Sequence, residues 1–189
     1  MKAQLNAFKE SNMPLGDILI SEAEIASEIP RLAGRISEDY RDADPLFVGV
    51  MDGAMCFLVD LIRAFPHSVD VATARVQSYS GTEPGKITVE WLPTQQSLEG
   101  RHVLLVEDIV DTGATLTALS RHVIDLGARS VNVCSLLDKP SKRTHILEVA
   151  YVGFEIPDVF VVGCGLDYNG AYRNLRDVRA LEIGQLKES

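Results

Sequence analysis

Residues 103–106, Val-Leu-Leu-Val, are apolar at every position and run without a break into Glu107-Asp108-Ile109-Val110-Asp111-Thr112-Gly113-Ala114-Thr115. A strand that is apolar at successive positions is covered on both faces, the usual condition of parallel sheets sandwiched between helices. Behind the run, Leu116, Leu119, Val123 and Leu126 recur at helical spacing and stop at Gly127, a residue suited to the position just past a helix C-terminus. Strand, turn and helix are therefore predicted in that order, which confines the chain to an α/β architecture.

The same pattern recurs. Ser21 followed by Glu24 has capping-box spacing and predicts a helix start, continued by Ile25, Ile29, Leu32, Ala33, Ile36 and Tyr40. Pro30 is expected to split that segment, because proline lacks the amide needed in a helix interior. Residues 46–51 predict a strand and 54–65 a helix. Residues 69–79 and 87–92 predict strands joined by a polar, glycine-bracketed loop over 80–86, expected to be exposed and mobile. Further buried strands are predicted at 131–137 and 159–162, with a Gly-rich polar tail after them. Ligands are expected in the crevice beyond the carboxyl ends of the strands.

At 189 residues, 20.7 kDa and 46% hydrophobic, the chain can bury one substantial core. Its net charge of −9 argues against nucleic-acid partners, whose phosphates are met by clustered Lys and Arg. Cys56, Cys134 and Cys164 form no C-x-x-C pair, and residues 1–10 lack the apolar core of a signal peptide, so a cytoplasmic location is expected. No apolar run approaches the roughly 20 residues needed to cross a bilayer, and no membrane partner is expected. His67, His102, His122 and His145 are too dispersed for a histidine metal cluster.

The chemistry concentrates after residue 106. A loop from Asp111 through Thr112, Gly113 and Ala114 to Thr115 would aim backbone amides at an anion where the helix dipole also favours it. Glu107 and Asp108 are acceptor-only groups suited to vicinal hydroxyls or to Mg2+ held with sugar oxygens. A sugar phosphate bound with Mg2+ satisfies both halves.

Residues 103–115 resemble the phosphoribosyl-pyrophosphate (PRPP) binding motif of the type I phosphoribosyltransferases. The segments Leu136-Leu137-Asp138-Lys139-Pro140-Ser141, Tyr151-Val152-Gly153-Phe154-Glu155-Ile156-Pro157-Asp158-Val159-Phe160-Val161-Val162-Gly163, Gly165-Leu166-Asp167-Tyr168 and Tyr172-Arg173-Asn174-Leu175 resemble, in collinear order, the hypoxanthine-guanine phosphoribosyltransferases. That resemblance implies a mainly parallel twisted sheet flanked by helices, in one domain over 1–189, with a core at about 40–165 and a small hood from about 1–25 and 166–189. It implies transfer of the phosphoribosyl group of PRPP to hypoxanthine or guanine, by a homodimer or homotetramer. In this frame Lys139 donates to the purine 6-oxo group, Phe160 stacks on the base and the Val161 backbone reads its edge. Asp111 takes the base's proton, Asp167 holds Mg2+ together with Glu107 and Asp108, Arg173 contacts pyrophosphate, and Ser78-Tyr79 belong to a lid. A xanthine-preferring or broader 6-oxopurine transferase, or a sensor of PRPP or nucleotide without turnover, are the alternatives.

One position departs from the family. Met51-Asp52-Gly53 stands where members usually carry Leu-Lys-Gly in the first pyrophosphate loop. At ~4 Å and an effective dielectric of ~20, the Asp52 carboxylate would oppose a pyrophosphate charge by about 4 kcal/mol. The expectation is that Asp52 turns away and that loop amides, Gly53 included, bind the ligand; the alternative is that Asp52 faces a cation or a neighbouring subunit. The Met51-Asp52 peptide bond is a candidate for the non-proline cis form.

Overall fold

The apolar run at the centre of the chain is buried on two faces because successive residues of a strand point oppositely. The computed structural model describes residues 15–78, 87–91 and 98–181. In it β5 (His102–Val110) sends Val103 and Leu105 into one core and Leu104 and Val106 into another. In chain order the other elements are β1 (Leu15–Ile20), α1 (Glu22–Asp39), β2 (Pro45–Met51), α2 (Met55–Ala64), β3 (Asp70–Ser78) and β4 (Ile87–Trp91) before β5. After it come α3 (Ala114–Asp125), β6 (Ser130–Asp138), a 3-10 turn at Pro140–Lys142, β7 (Tyr151–Glu155), β8 (Val161–Val162) and β9 (Val178–Leu181).

The larger sheet has the order β4-β3-β2-β5-β6-β7. Strands β3, β2, β5, β6 and β7 run parallel and β4 is an antiparallel edge. Helices α1 and α2 cover one face through Ile29, Leu32, Ile36, Phe57 and Leu61, against Phe47, Leu104 and Leu136. Helix α3 covers the other through Leu116, Leu119 and Val123, against Val48, Leu105 and Val133. Each of these fully buried side chains contributes about 1.5–3 kcal/mol through removal from water. The chain leaves β2 toward β3 on one side and returns as β5 on the other, so the strand order reverses between β2 and β5. That switch point is where open α/β sheets bind ligands.

A second, antiparallel sheet has the order β1-β9-β8 and joins the beginning and end of the described chain. It corrects the reading of residues 159–162 as a strand of the parallel sheet: only Val161–Val162 is strand, and it pairs with β9. The sheet position it would have filled belongs to β7, which sequence reading passed over because Gly153 weakens the strand pattern. Gly153 is required there, since a Cβ would stand 2.7 Å from the Leu136 carbonyl oxygen.

A second correction concerns Pro30. The Ser21 capping box forms as expected, but α1 continues unbroken over 18 residues with Pro30 inside it. Pro30 and Ala26 both lie on the exposed face, so the Ala26 carbonyl that loses its helical donor can be satisfied by water. The buried stripe of Ile25, Ile29, Leu32, Ala33 and Ile36 supplies the packing that holds the helix together. The loop over 80–86 and Tyr79 of the expected lid lie outside the described residues, and Ser78 is described only as the backbone end of β3. Among the described residues no helix is long and apolar enough to cross a membrane.

Candidate active site

Strand β5 carries Glu107 and Asp108 to the carboxyl edge of the sheet, each 8% exposed. Burial first, and then the adjacent Asp108 charge, lift the Glu107 carboxyl well above the ordinary carboxylate range. The chain then turns through Gly113, whose φ of 81° only glycine adopts freely, and enters α3. Thr112 Oγ1 accepts the Ala114 amide at 3.3 Å. The turn and the first residues of α3 line a cavity of about 280 Å3 that also contains Glu107 and Asp108, with Met51 and Val76 on its wall. Backbone amides at a helix N-terminus facing such a hollow form an anion site.

Residues that sequence reading did not single out hold this turn in place. The Thr144 and His145 amides donate to the Thr112 carbonyl at 3.1 and 3.2 Å. A Cβ on Gly113 would stand 3.1 Å from Arg143 Nη1, so the guanidinium backs directly onto the turn. Arg143 is ion-paired with Asp138, while its Nη1 is buried without a hydrogen-bond partner among the described residues. The polar run after Lys139 reads as ordinary surface loop, so the sequence carried no signal for this support.

A neighbouring cavity of about 210 Å3 brings together Asp108, Asp111, Lys139, Phe160, Val161 and Asp167. Lys139 is 4% exposed, and its ammonium lies 3.1 Å from Asp111 Oδ1. That approach is an ion pair without hydrogen-bond alignment, so Oδ1 remains a buried acceptor with no bonded donor among the described residues. Lys142, also unforeseen, stands 3.7 Å from Asp111 Oδ2 and 2.9 Å from Asp158. Phe160 is 42% exposed, unusual for an aromatic on a strand flank, and meets Tyr168 edge-on at 5.6 Å. Because β8 is an edge strand, one side of the Val161 backbone has no strand partner among the described residues.

Glu107 lines only the first cavity and Asp167 only the second, whereas Asp108 lines both. No three metal-ligating side chains converge among the described residues. Buried Asp108 and the cavity-lining Asp167 nevertheless suit Mg2+, which takes one or two carboxylates and completes its shell with substrate oxygens and water. Asp167 accepts the Gly170 amide at 2.7 Å and pairs with Arg173 at 2.8 Å, and Arg173 also donates to the Gly165 carbonyl at 2.7 Å. Asp52, Gly53 and Arg173 line neither cavity, but close backbone approaches connect them to both. A Cβ on Gly53 would overlap the Asp108 carboxylate, and one on Gly165 would overlap the Gly53 carbonyl.

The Met51-Asp52 peptide bond is cis. Asp52 lines neither cavity and faces a cation, the alternative the sequence left open: it accepts from Arg75 Nη2 at 2.5 Å. The reason is register: β2 and β3 are parallel, with Met51, the last residue of β2, opposite Arg75, which places the guanidinium beside Asp52, the next residue along the chain.

A parallel sheet with a glycine turn into a helix after β5, an acidic pair just before it and a lysine-carboxylate-aromatic cavity alongside suits a phosphorylated ligand. Residues 17–169 match the family described as phosphoribosyl transferase domain, and the chain belongs to that family. It is 39% identical over 166 residues to the hypoxanthine-guanine phosphoribosyltransferase of Bacillus subtilis (strain 168), covering 87% of this chain and 92% of that protein. Among solved structures, the hypoxanthine phosphoribosyltransferase of Trypanosoma cruzi, in complex with the product IMP, is similar at a TM-score of 0.82 and 37% identity, over 89% of this chain and 95% of that one. A hypoxanthine-guanine phosphoribosyltransferase of Bacillus anthracis is similar at a TM-score of 0.84 and 33% identity, over 89% and 99%.

Proposed function

We infer that this chain transfers the phosphoribosyl group of PRPP to hypoxanthine or guanine, giving IMP or GMP and pyrophosphate in purine salvage. The observation that carries the base assignment is the buried Lys139 ammonium facing the cavity that Phe160 borders. An obligate donor there selects a carbonyl oxygen and leaves an amino group unmatched, so 6-oxopurines are favoured over adenine.

The residues divide the work. The turn from Asp111 to Thr115 anchors the 5-phosphate, and Glu107 with Asp108 orients the ribose hydroxyls. Phe160 stacks on the base, while Lys139 and the free edge of Val161 fix its rotation. As the ring nitrogen forms its bond to the ribose carbon, the carbon-oxygen bond to pyrophosphate breaks. The base's proton then passes to Asp111, whose Oδ1 has an acceptor position open. Asp108 and Asp167 would hold Mg2+, which supplies charge neutralisation for the leaving pyrophosphate. The chain's own contribution is chiefly positioning and charge stabilisation.

A sensor without turnover loses its main support, since Asp52 is neutralised by Arg75 rather than aimed bare at a ligand. A homodimer or homotetramer remains the expected assembly, supported by exposed Met55 and Val59 on α2 and Val71 on β3. Three free cysteines accord with a reducing cytoplasm. The test is pyrophosphate release from PRPP and Mg2+ with hypoxanthine, guanine, xanthine and adenine in turn. Turnover is expected with the first two and not with adenine; folded protein that turns over none of the four would end the assignment.

A further inference from the structure

Asp52 carries a charge that phosphoribosyl transfer does not use, in a place where it should do harm. It follows directly on Met51, the last residue of β2, at the switch point, and its neighbour Gly53 packs against Asp108 and against the Gly165 segment to which Arg173 is hydrogen-bonded. Left bare at ~4 Å from a phosphate oxygen and an effective dielectric of ~20, a carboxylate there would weaken anion binding by roughly a thousandfold. The structure instead supplies Arg75, with Nη2 2.5 Å from Asp52 Oδ1. Ala74 and Val76 pack in the α3-side core, and side chains alternate along a strand. Arg75 therefore projects to the opposite face, that of α2, where the loop after β2 enters its helix.

The fold has little use for this pair. Its side chains are 50% and 48% exposed, and ion pairs so open to water contribute little to stability. A guanidinium has five N–H donors and Asp52 accepts from one nitrogen, so Arg75 can bridge that carboxylate and a phosphate oxygen at the same time. The charge pattern matches that at Arg173, which is likewise held by a carboxylate, Asp167, at 2.8 Å.

Resting on the transferase reading above, we propose that Arg75 is a pyrophosphate-binding residue of this site and that Asp52 is its positioning carboxylate. The loop after β2 delivers its cation from the neighbouring strand. Asp52 aims the guanidinium, and the pair meets the pyrophosphate end of PRPP through the arginine.

The test is a double-mutant cycle on the whole protein with Mg2+. It uses Arg75→Met, Arg75→Lys, Asp52→Asn and the combined Arg75→Met/Asp52→Asn, and reads KM for PRPP, inhibition by magnesium pyrophosphate, KM for hypoxanthine and Tm. Arg75→Met should raise the PRPP KM and the pyrophosphate inhibition constant by about 30-fold or more, as loss of a charge-assisted contact does. The hypoxanthine KM should move less than about twofold, and Arg75→Lys should recover most of the loss. Asp52→Asn should weaken PRPP binding about threefold to tenfold in the native background, yet strengthen it in the Arg75→Met background, where the carboxylate has lost its cation. A PRPP KM that moves less than about threefold in Arg75→Met, or tighter PRPP binding in the single Asp52→Asn protein, overturns the proposal. If the native protein joins PRPP to none of the purines, it is the transferase reading that fails; if it does so and Arg75 is silent, only this inference fails.

Discussion

Replacing Lys139 by methionine should separate its contribution to folding from its contribution to base selection. At 3.1 Å from Asp111 Oδ1 and an effective dielectric of ~20, the gross attraction is about 5 kcal/mol. Asp111, however, is 43% exposed and keeps Lys142 at 3.7 Å. Breaking the pair therefore leaves no stranded buried charge. After discounting for solvent, the stability loss should be about 1 kcal/mol rather than the 3–5 kcal/mol of a fully buried pair, or a Tm drop of about 2–4 °C for a chain of this size. The base loses a charge-assisted hydrogen bond of about 1.5–3 kcal/mol, which is roughly 10- to 150-fold in kcat/KM for hypoxanthine. Adenine loses nothing it had, so the preference for hypoxanthine should shrink by that factor. Lys139→Gln, whose amide can turn either its oxygen or its NH2 to the base, should restore part of the hypoxanthine rate and raise that for adenine. Steady-state kinetics with both purines at fixed PRPP, together with thermal denaturation, measures all of this. A hypoxanthine kcat/KM within threefold of native, or equal losses for the two purines, would refute the assignment of Lys139 to the 6-position.

Asp111→Asn should lower kcat by about 10²- to 10⁴-fold, the usual yield of a general base, with the base KM within a few-fold of native; an unchanged kcat would remove Asp111 from proton transfer. Glu107→Gln removes a carboxylate that burial makes costly to ionise, so the ligand-free protein should melt higher while activity falls at least tenfold, a trade between stability and function that parallel melting and rate measurements would expose. Burial, reinforced by the neighbouring Cys56, pushes the Cys164 thiol from an ordinary 9.0 up to about 12. At pH 8 its thiolate population is then about a thousandfold smaller than that of an ordinary thiol, so alkylation followed by mass spectrometry should mark Cys164 only after denaturation. The raised value also fixes the sign of its linkage: the native state keeps the proton longer than the unfolded chain, so this contribution to stability is intact below about pH 9 and falls as pH rises toward 12.

Local chemistry made much of this protein legible before any coordinates. The two-faced burial of β5 follows from a continuous apolar run, and the start of α1 from the Ser21-Glu24 capping box, because each depends on neighbours within one turn or one strand. The turn into α3 was readable for the same reason: Asp111 to Thr115 are consecutive, so their spacing is already their geometry. Lys139 and Phe160 were placed through collinear resemblance rather than physics, since alone a lysine is usually solvated and a strand aromatic usually buried. The fold reverses both habits, leaving Lys139 4% exposed and Phe160 42% exposed.

What the chain's order could not contain is which distant residues become neighbours. Arg143 behind Gly113, Lys142 beside Asp111 and Arg75 against Asp52 are set by strand register and by where loops land. Pro30 inside α1 and Gly153 inside β7 defeated local propensity because packing against the sheet outweighs the missing amide and the missing side chain. Sequence determined most of the helices and central strands and the consecutive parts of the site, through short-range sterics and hydrogen bonding. Only tertiary structure decided how the charges pair, because Coulomb energy depends on separation in space, and β2 beside β3 turns residues far apart along the chain into partners 2.5 Å apart.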